Sequence, residues 1–233
     1  NAADMWGATF RIPLYLIPLH VGLSLLIAFL VHSCRLKAVQ YATRTLIYFP
    51  VLATTASVAI AWNYMFNENR GVINWLLQQV GILGPDQNVR WLISTETAMW
   101  AIVIFSAWKF IGQHFLYYFV GLQNIPDTYY EAAKIDGATS FQIDRLVMFP
   151  LVKRMIGTTV IMAATYMLQM FSMIYITTGG GPGVSTANLP LYLYTTVKAN
   201  NYGYANSIGV VIIIVGFITM TLINRLFGMN KED

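Results

Sequence analysis

Inside otherwise apolar stretches of this 233-residue chain, a few side chains have chemistry to offer, and their spacing limits what it can be. Lys109, Gln113 and Tyr117 recur every fourth residue, so a helix presents them on one face. Tyr166, Gln169 and Ser172 recur every third residue in the same manner. Such stripes carry hydrogen-bonding groups and aromatic rings, and within a membrane they normally face a bundle interior or a water-filled cavity. They hold no paired acid and base for covalent work. The competing reading is structural: Lys109 snorkels outward, and Gln and Ser bond neighbouring helices. Asn63 is a weaker residue of the same kind.

Other candidates fall away on spacing. His20 and His32 lie about 18 Å apart along one helix and cannot share an ion. Cys34 is the single cysteine, so neither an internal disulfide nor a cysteine metal cluster is available, and no metal is expected. Gly179-Gly180-Gly181-Pro182 has no Lys-Ser/Thr after it and is not a phosphate loop; the chain contains no G-x-x-x-x-G-K-[ST]. Glu131 has no His, Cys or second carboxylate arranged with it, so no catalytic residue is assigned.

The elements that must position these residues are membrane helices. Hydrophobic residues make up 57% of the chain and charged ones only 10%, against about 25% in soluble domains. Five stretches are long enough to cross a bilayer: Phe10–Val31, Thr45–Phe66, Ala98–Val120, Leu151–Ile176 and Ser207–Phe227. The expected fold is an all-α polytopic helical bundle over residues 1–233, without a cleavable signal peptide. One set of span ends carries Arg35, Lys37, Arg44, Lys134, Arg145, Lys153, Arg154, Arg225 and Lys231; the other carries Arg11, Arg70, Arg90 and Lys198. Positive charge favours the cytoplasm, which places the 121–150 loop inside and the 67–97 and 177–206 connections outside. The net charge of +4 follows from this topology and calls for no nucleic acid. Within 67–97, Val72, Ile73, Leu76 and Leu77 predict a short interfacial helix, with Trp75, Trp91 and Trp100 at headgroup depth; the equal alternative for Trp75 is a core aromatic packed under the loop.

Between the third and fourth spans lies GLQNIPDTYYEAAKIDGATSFQIDRLVMFP, residues 121–150. Thr128 with Glu131, and Thr139 with Gln142, each read as a capping box. Two short helices are therefore expected, parted by Asp136-Gly137, where glycine accepts a positive φ. Ala132, Ala133 and Ala138 leave the backbone bare enough for another protein to approach.

EAAKIDGATSFQIDRLVMFP closely resembles the EAA loop of the transmembrane subunits of bacterial ATP-binding-cassette importers. Thr178-Gly179-Gly180-Gly181-Pro182, with Ser185-Thr186 and Tyr192/Tyr194 beyond, resembles the carbohydrate-importing, maltose/glycerol-phosphate permease-like branch. The likeness extends to Phe49-Pro50, the Gly71–Asn74 region and Trp91-Leu92. It implies a multi-pass subunit of the bacterial cytoplasmic membrane that imports a sugar or oligosaccharide by alternating access. The implied partners are a second permease, an ATPase dimer that uses ATP and Mg, and an extracytoplasmic binding protein. No cofactor is implied on this chain itself. Resemblance assigns ATPase coupling to Glu131, Ala132, Ala133, Asp136, Gly137 and Ala138. It puts Gly179–Pro182 at an outer-face loop near the binding protein; the plainer reading of that loop is a flexible connector. Such subunits usually have one more N-terminal helix, so the chain reads as lacking the family's first span. The alternatives are import of glycerol phosphate or another polar solute, and, more remotely, a stand-alone channel, a secondary transporter or an intramembrane enzyme.

Overall fold

The computed structural model describes residues 2–34 and 36–228; at 2, 3, 4, 127, 140, 144 and 154 only the backbone is described. Of the charges used for orientation, Arg35, Lys231 and the Arg154 side chain lie outside the described residues. Every regular element among the described residues is helical: α1 Ala2–Ser33, α2 Lys37–Leu52, α3 Thr55–Met65, α4 Val72–Gln79, α5 Ala98–Gln123, α6 Asp127–Ile135 and α7 Ser140–Ile143. A π-helical turn, Asp144–Met148, then leads into α8 Phe149–Leu168, α9 Ser172–Thr177, α10 Leu189–Lys198 and α11 Tyr202–Phe227. Among the described residues, α1, α5 and α11 are each long and apolar enough to cross a bilayer, and two bent helix pairs bring the total to as many as five spans.

Two of the expected spans are broken. Thr45–Phe66 was expected to run unbroken, but it divides into α2 and α3. Pro50 has no N–H, and its ring obstructs the carbonyl four residues back; two residues later α2 ends, and Thr54 caps α3 by accepting from the Ser57 N–H at 3.3 Å. Leu151–Ile176 likewise divides, with α8 ending at Leu168 and α9 beginning at Ser172. Gln169 therefore follows the end of a helix, and Tyr166, Gln169 and Ser172 do not form one helical stripe.

The chain separates into two compact units. The first comprises Asn1–Leu16, Leu52–Trp108 and Thr165–Phe217. It is organised around Trp62, which stacks on Phe105 at 5.3 Å and meets Phe66 at 5.1 Å. Here α3 packs on α9, and Asn63 donates from Nδ2 to the Ile176 carbonyl at 2.9 Å, so this amide joins two helices. The expected short helix is present as α4. Its Asn74, 2% exposed, donates to the Glu68 and Val89 carbonyls and accepts from Val89 N–H and Trp91 Nε1–H. All four hydrogen-bonding positions of the amide are used, which ties the outer connection into one piece. Trp75 is 56% exposed, so it is not packed under the connection as a core aromatic.

The second unit comprises Ile17–Val51, Lys109–Ala164 and Ile218–Asp233. Its core joins Ala28, Val31, Phe115, Tyr118, Phe119, Leu122, Met148 and Val152. Tyr118 and Thr159 are hydrogen-bonded hydroxyls within that core. Gly112 lets α5 lie directly on the α2 backbone, since a Cβ there would stand 2.1 Å from the Ile47 carbonyl oxygen.

Candidate functional site

The 121–150 segment forms an elbow of two helices in the second unit. Its first helix starts two residues earlier than a cap at Thr128 requires. Pro126 occupies the cap position with φ −59° and no side-chain cap bond, and Asp127 is already helical. Glu131 therefore lies too far along α6 to reach back to the cap, and the Thr128–Glu131 capping box is not formed. The second box is formed: Thr139 N–H donates to Gln142 Oε1 at 2.8 Å, and Gln142 N–H donates to Thr139 Oγ1 at 3.4 Å.

Between them α6 ends in a Schellman turn. Ala138 N–H reaches the Ala133 carbonyl at 2.9 Å, Gly137 N–H reaches Lys134 at 3.0 Å, and Gly137 has φ +75°. The elbow is thus held by its own backbone and one reciprocal cap. Its outer surface is exposed at Glu131, Ala132, Asp136 and Gly137, with Ala133 and Ala138 half-buried. Thr128, Tyr129, Ala132, Ala133, Asp136 and Val147 line a depression of about 390 Å³. Ile135, 86% exposed, extends from the same helix. On the other side Tyr130 packs against the core of the unit and lies 6.5 Å from the His32 ring. His32 in turn lies 6.4 Å from Phe119. One helix therefore offers a bare, concave outer face and an aromatic attachment to α1 and α5.

The polar residues of the spans are distributed differently from the sequence pattern. Lys109 is 1% exposed and donates to the Pro50 carbonyl at 3.0 Å. Its ammonium thus sits at the C-terminal end of α2, where carbonyls lack helical partners and the helix dipole is negative. Gln113 is half-buried and Tyr117 exposed on the same helix. In the other unit Tyr166 is half-buried in α8 and Gln169 is exposed. Sequence spacing did not reveal that His20 of α1 and His114 of α5 are paired, with ring centroids 5.3 Å apart. The two lie on different helices far apart in the chain, and only a comparison across helices could have found them.

The Gly179–Pro182 loop is an ordered structure. Thr186 Oγ1 donates to the Gly181 carbonyl at 2.9 Å, and the Thr178 and Thr186 hydroxyls meet at 2.7 Å. Beyond it, Asn188 caps α10 by accepting from Leu191 N–H and donates to the Met170 carbonyl, another amide that sequence reasoning passed over. Phe171, Tyr175 and Tyr194 cluster with centroids 4.8–5.3 Å apart, and Lys198 lies over the Tyr194 ring. A hydrogen bond with Tyr175, and then one with Lys198, lowers the Tyr194 pKa, while hydrogen bonding to Tyr194 raises that of Lys198.

Residues 20–230 match the family described as binding-protein-dependent transport system inner membrane component. The chain belongs to this family. Among its relatives is the probable ABC transporter permease protein YesP of Bacillus subtilis, 35% identical over 92% of this chain and 69% of the relative. Another is the trehalose/maltose transport system permease protein MalF of Thermococcus litoralis, 30% identical over all of this chain and 78% of the relative. The probable permease YurN of Bacillus subtilis is 33% identical over 82% of this chain, which spans 65% of that relative's length. The fold matches a crystal structure of a bacterial ABC transporter involved in the import of the acidic polysaccharide alginate. The TM-score is 0.83 at 19% identity, covering 99% of this chain and 80% of that one. Family membership and the apolar helices together make this a multi-pass inner membrane component.

Proposed function

We propose that this chain is a permease subunit of an ATP-driven importer that brings a sugar or oligosaccharide into the cell by alternating access. The elbow supports this reading most directly. It presents a surface exposed at Ala132 and Asp136, with Ala133 half-buried beside them, and it is anchored through Tyr130 to the helices that must move. A cytoplasmic ATPase dimer would seat on it and use ATP and Mg; this subunit supplies no catalytic group of its own. A second permease would complete the transporter, and an extracytoplasmic binding protein would deliver solute on the side of the Gly179–Pro182 loop. Relatives named for trehalose/maltose and for lactose transport support a saccharide cargo. Lys109 is engaged at the end of α2, which weakens the case for an anionic solute drawn to its charge.

Gln113 and Gln169 are the residues we assign to the solute path. Losing one hydrogen bond to a neutral sugar costs about 0.5–1.5 kcal/mol. In vesicles containing the whole importer and its binding protein, uptake should require ATP. Gln113→Ala and Gln169→Ala should each slow uptake several-fold, with subunit composition and basal ATPase activity retained. Uptake without ATP would contradict the importer reading. Unchanged uptake in both variants, or failure to assemble, would remove these residues from the path.

A further inference from the structure

A groove of about 430 Å³ opens in the second unit between Phe29 of α1, Phe141 of α7, Arg145 of the π-helical turn and Phe149 of α8. Phe141, Arg145 and Phe149 follow at four-residue intervals through the π-helical turn, and all three line the groove. Phe141 is 71% exposed and Phe149 48%. Leu26 and Leu30, exposed on α1 within one turn of Phe29, continue the apolar surface along that helix. No acidic side chain among the described residues forms an ion pair with Arg145. The groove therefore joins an apolar floor, continuous with the outward face of a membrane span, to one planar cation at its rim.

We propose that this groove binds an anionic phospholipid of the cytoplasmic leaflet, with an acyl chain on the phenylalanine rings and the phosphate on Arg145. The inference rests on the orientation given above. Guanidinium matches phosphate bidentately and is weakly hydrated, which suits a site half in the interface. The cytoplasmic leaflet is anionic and draws basic groups near the span ends. The groove adjoins the elbow, so an occupied site would brace the run from α7 into α8 that carries the elbow's motion.

Two measurements test the site on the whole importer. Mass spectrometry of the intact complex, purified from membranes containing phosphatidylglycerol, should show bound phosphatidylglycerol that Arg145→Gln loses. On the unaltered protein, a photoreactive phosphatidylglycerol should label the peptide holding residues 141–149 several-fold more than a photoreactive phosphatidylcholine. The second measurement stands even if the variant does not assemble. Equal labelling by the two lipids, or equal lipid retention with and without Arg145, would overturn the proposal. So would loss of a protein subunit from Arg145→Gln with its lipid unchanged, which would mark the groove as a protein interface. Neither readout involves transport, so failure here leaves the importer reading standing.

Discussion

Gly112→Ala should lower the stability of the assembled subunit by about 1–3 kcal/mol, the usual cost of forcing extra atoms into a packed site. The added Cβ would lie 2.1 Å from the Ile47 carbonyl oxygen, 2.8 Å from the Ile47 carbonyl carbon and 3.0 Å from the Tyr48 Cα. All three are backbone atoms, so no side chain can rotate away, and α5 must move off α2. That movement also strains the Lys109–Pro50 bond one turn earlier on α5. Gly22→Ala in α1 is the control, because its Cβ would meet nothing within 4 Å. Removing a glycine from a helix interior there is worth about 0.5–1 kcal/mol in favour of the fold. Thermal unfolding in detergent should therefore shift downward for Gly112→Ala and hold or rise for Gly22→Ala. Matching shifts would refute the close α2–α5 packing.

Gly137→Val should leave the subunit folded and assembled but uncouple it. Space is not the obstacle, since a Cβ at Gly137 would meet no atom within 4 Å. The obstacle is φ +75°, which costs an L-residue about 1–2 kcal/mol and a β-branched one more. A destabilisation of that amount lowers the ratio of docking-shaped to distorted elbows about 5- to 30-fold. Substrate-stimulated ATPase activity and uptake should fall together. Gly137→Asn should keep most of both, because asparagine tolerates the left-handed region. Normal uptake in the valine variant would show that the Schellman turn does not set the docking geometry.

These two positions differ in how readable they were. Gly137 follows Asp136 and precedes a hydroxyl-led cap, and local turn chemistry marks it without any tertiary knowledge. Gly112 looks like any small residue in an apolar helix; only the α2 backbone against it reveals its role. The same division runs through the fold. Spans were legible because apolar length is a local property, yet both broken spans were missed. Hydropathy averages across Pro50 and does not register that α2 stops two residues beyond it and a new helix is capped at Thr54. The Thr128 cap failed for a related reason. Pro126, with its fixed φ, takes the cap position itself, two residues ahead of Thr128, and Asp127 is already helical. Asn74 and Asn188 were passed over because their partners, Val89 and Met170, lie 15 and 18 residues away. Lys109 was assigned to a polar stripe by period alone, whereas its partner is a carbonyl 59 residues distant.

The most direct test of the account is a cross-link from the elbow to an ATPase. In a Cys34→Ser background, Ile135→Cys would place one thiol on the 86%-exposed tip of α6. Inside-out vesicles from cells making the whole importer would be treated with a short thiol-reactive cross-linker. The account predicts a product joining this chain to a Walker-motif ATPase, weakened by Gly137→Val and absent from right-side-out vesicles treated with an impermeant reagent. Recovery of the chain without any ATPase, from vesicles that still take up solute, would contradict it.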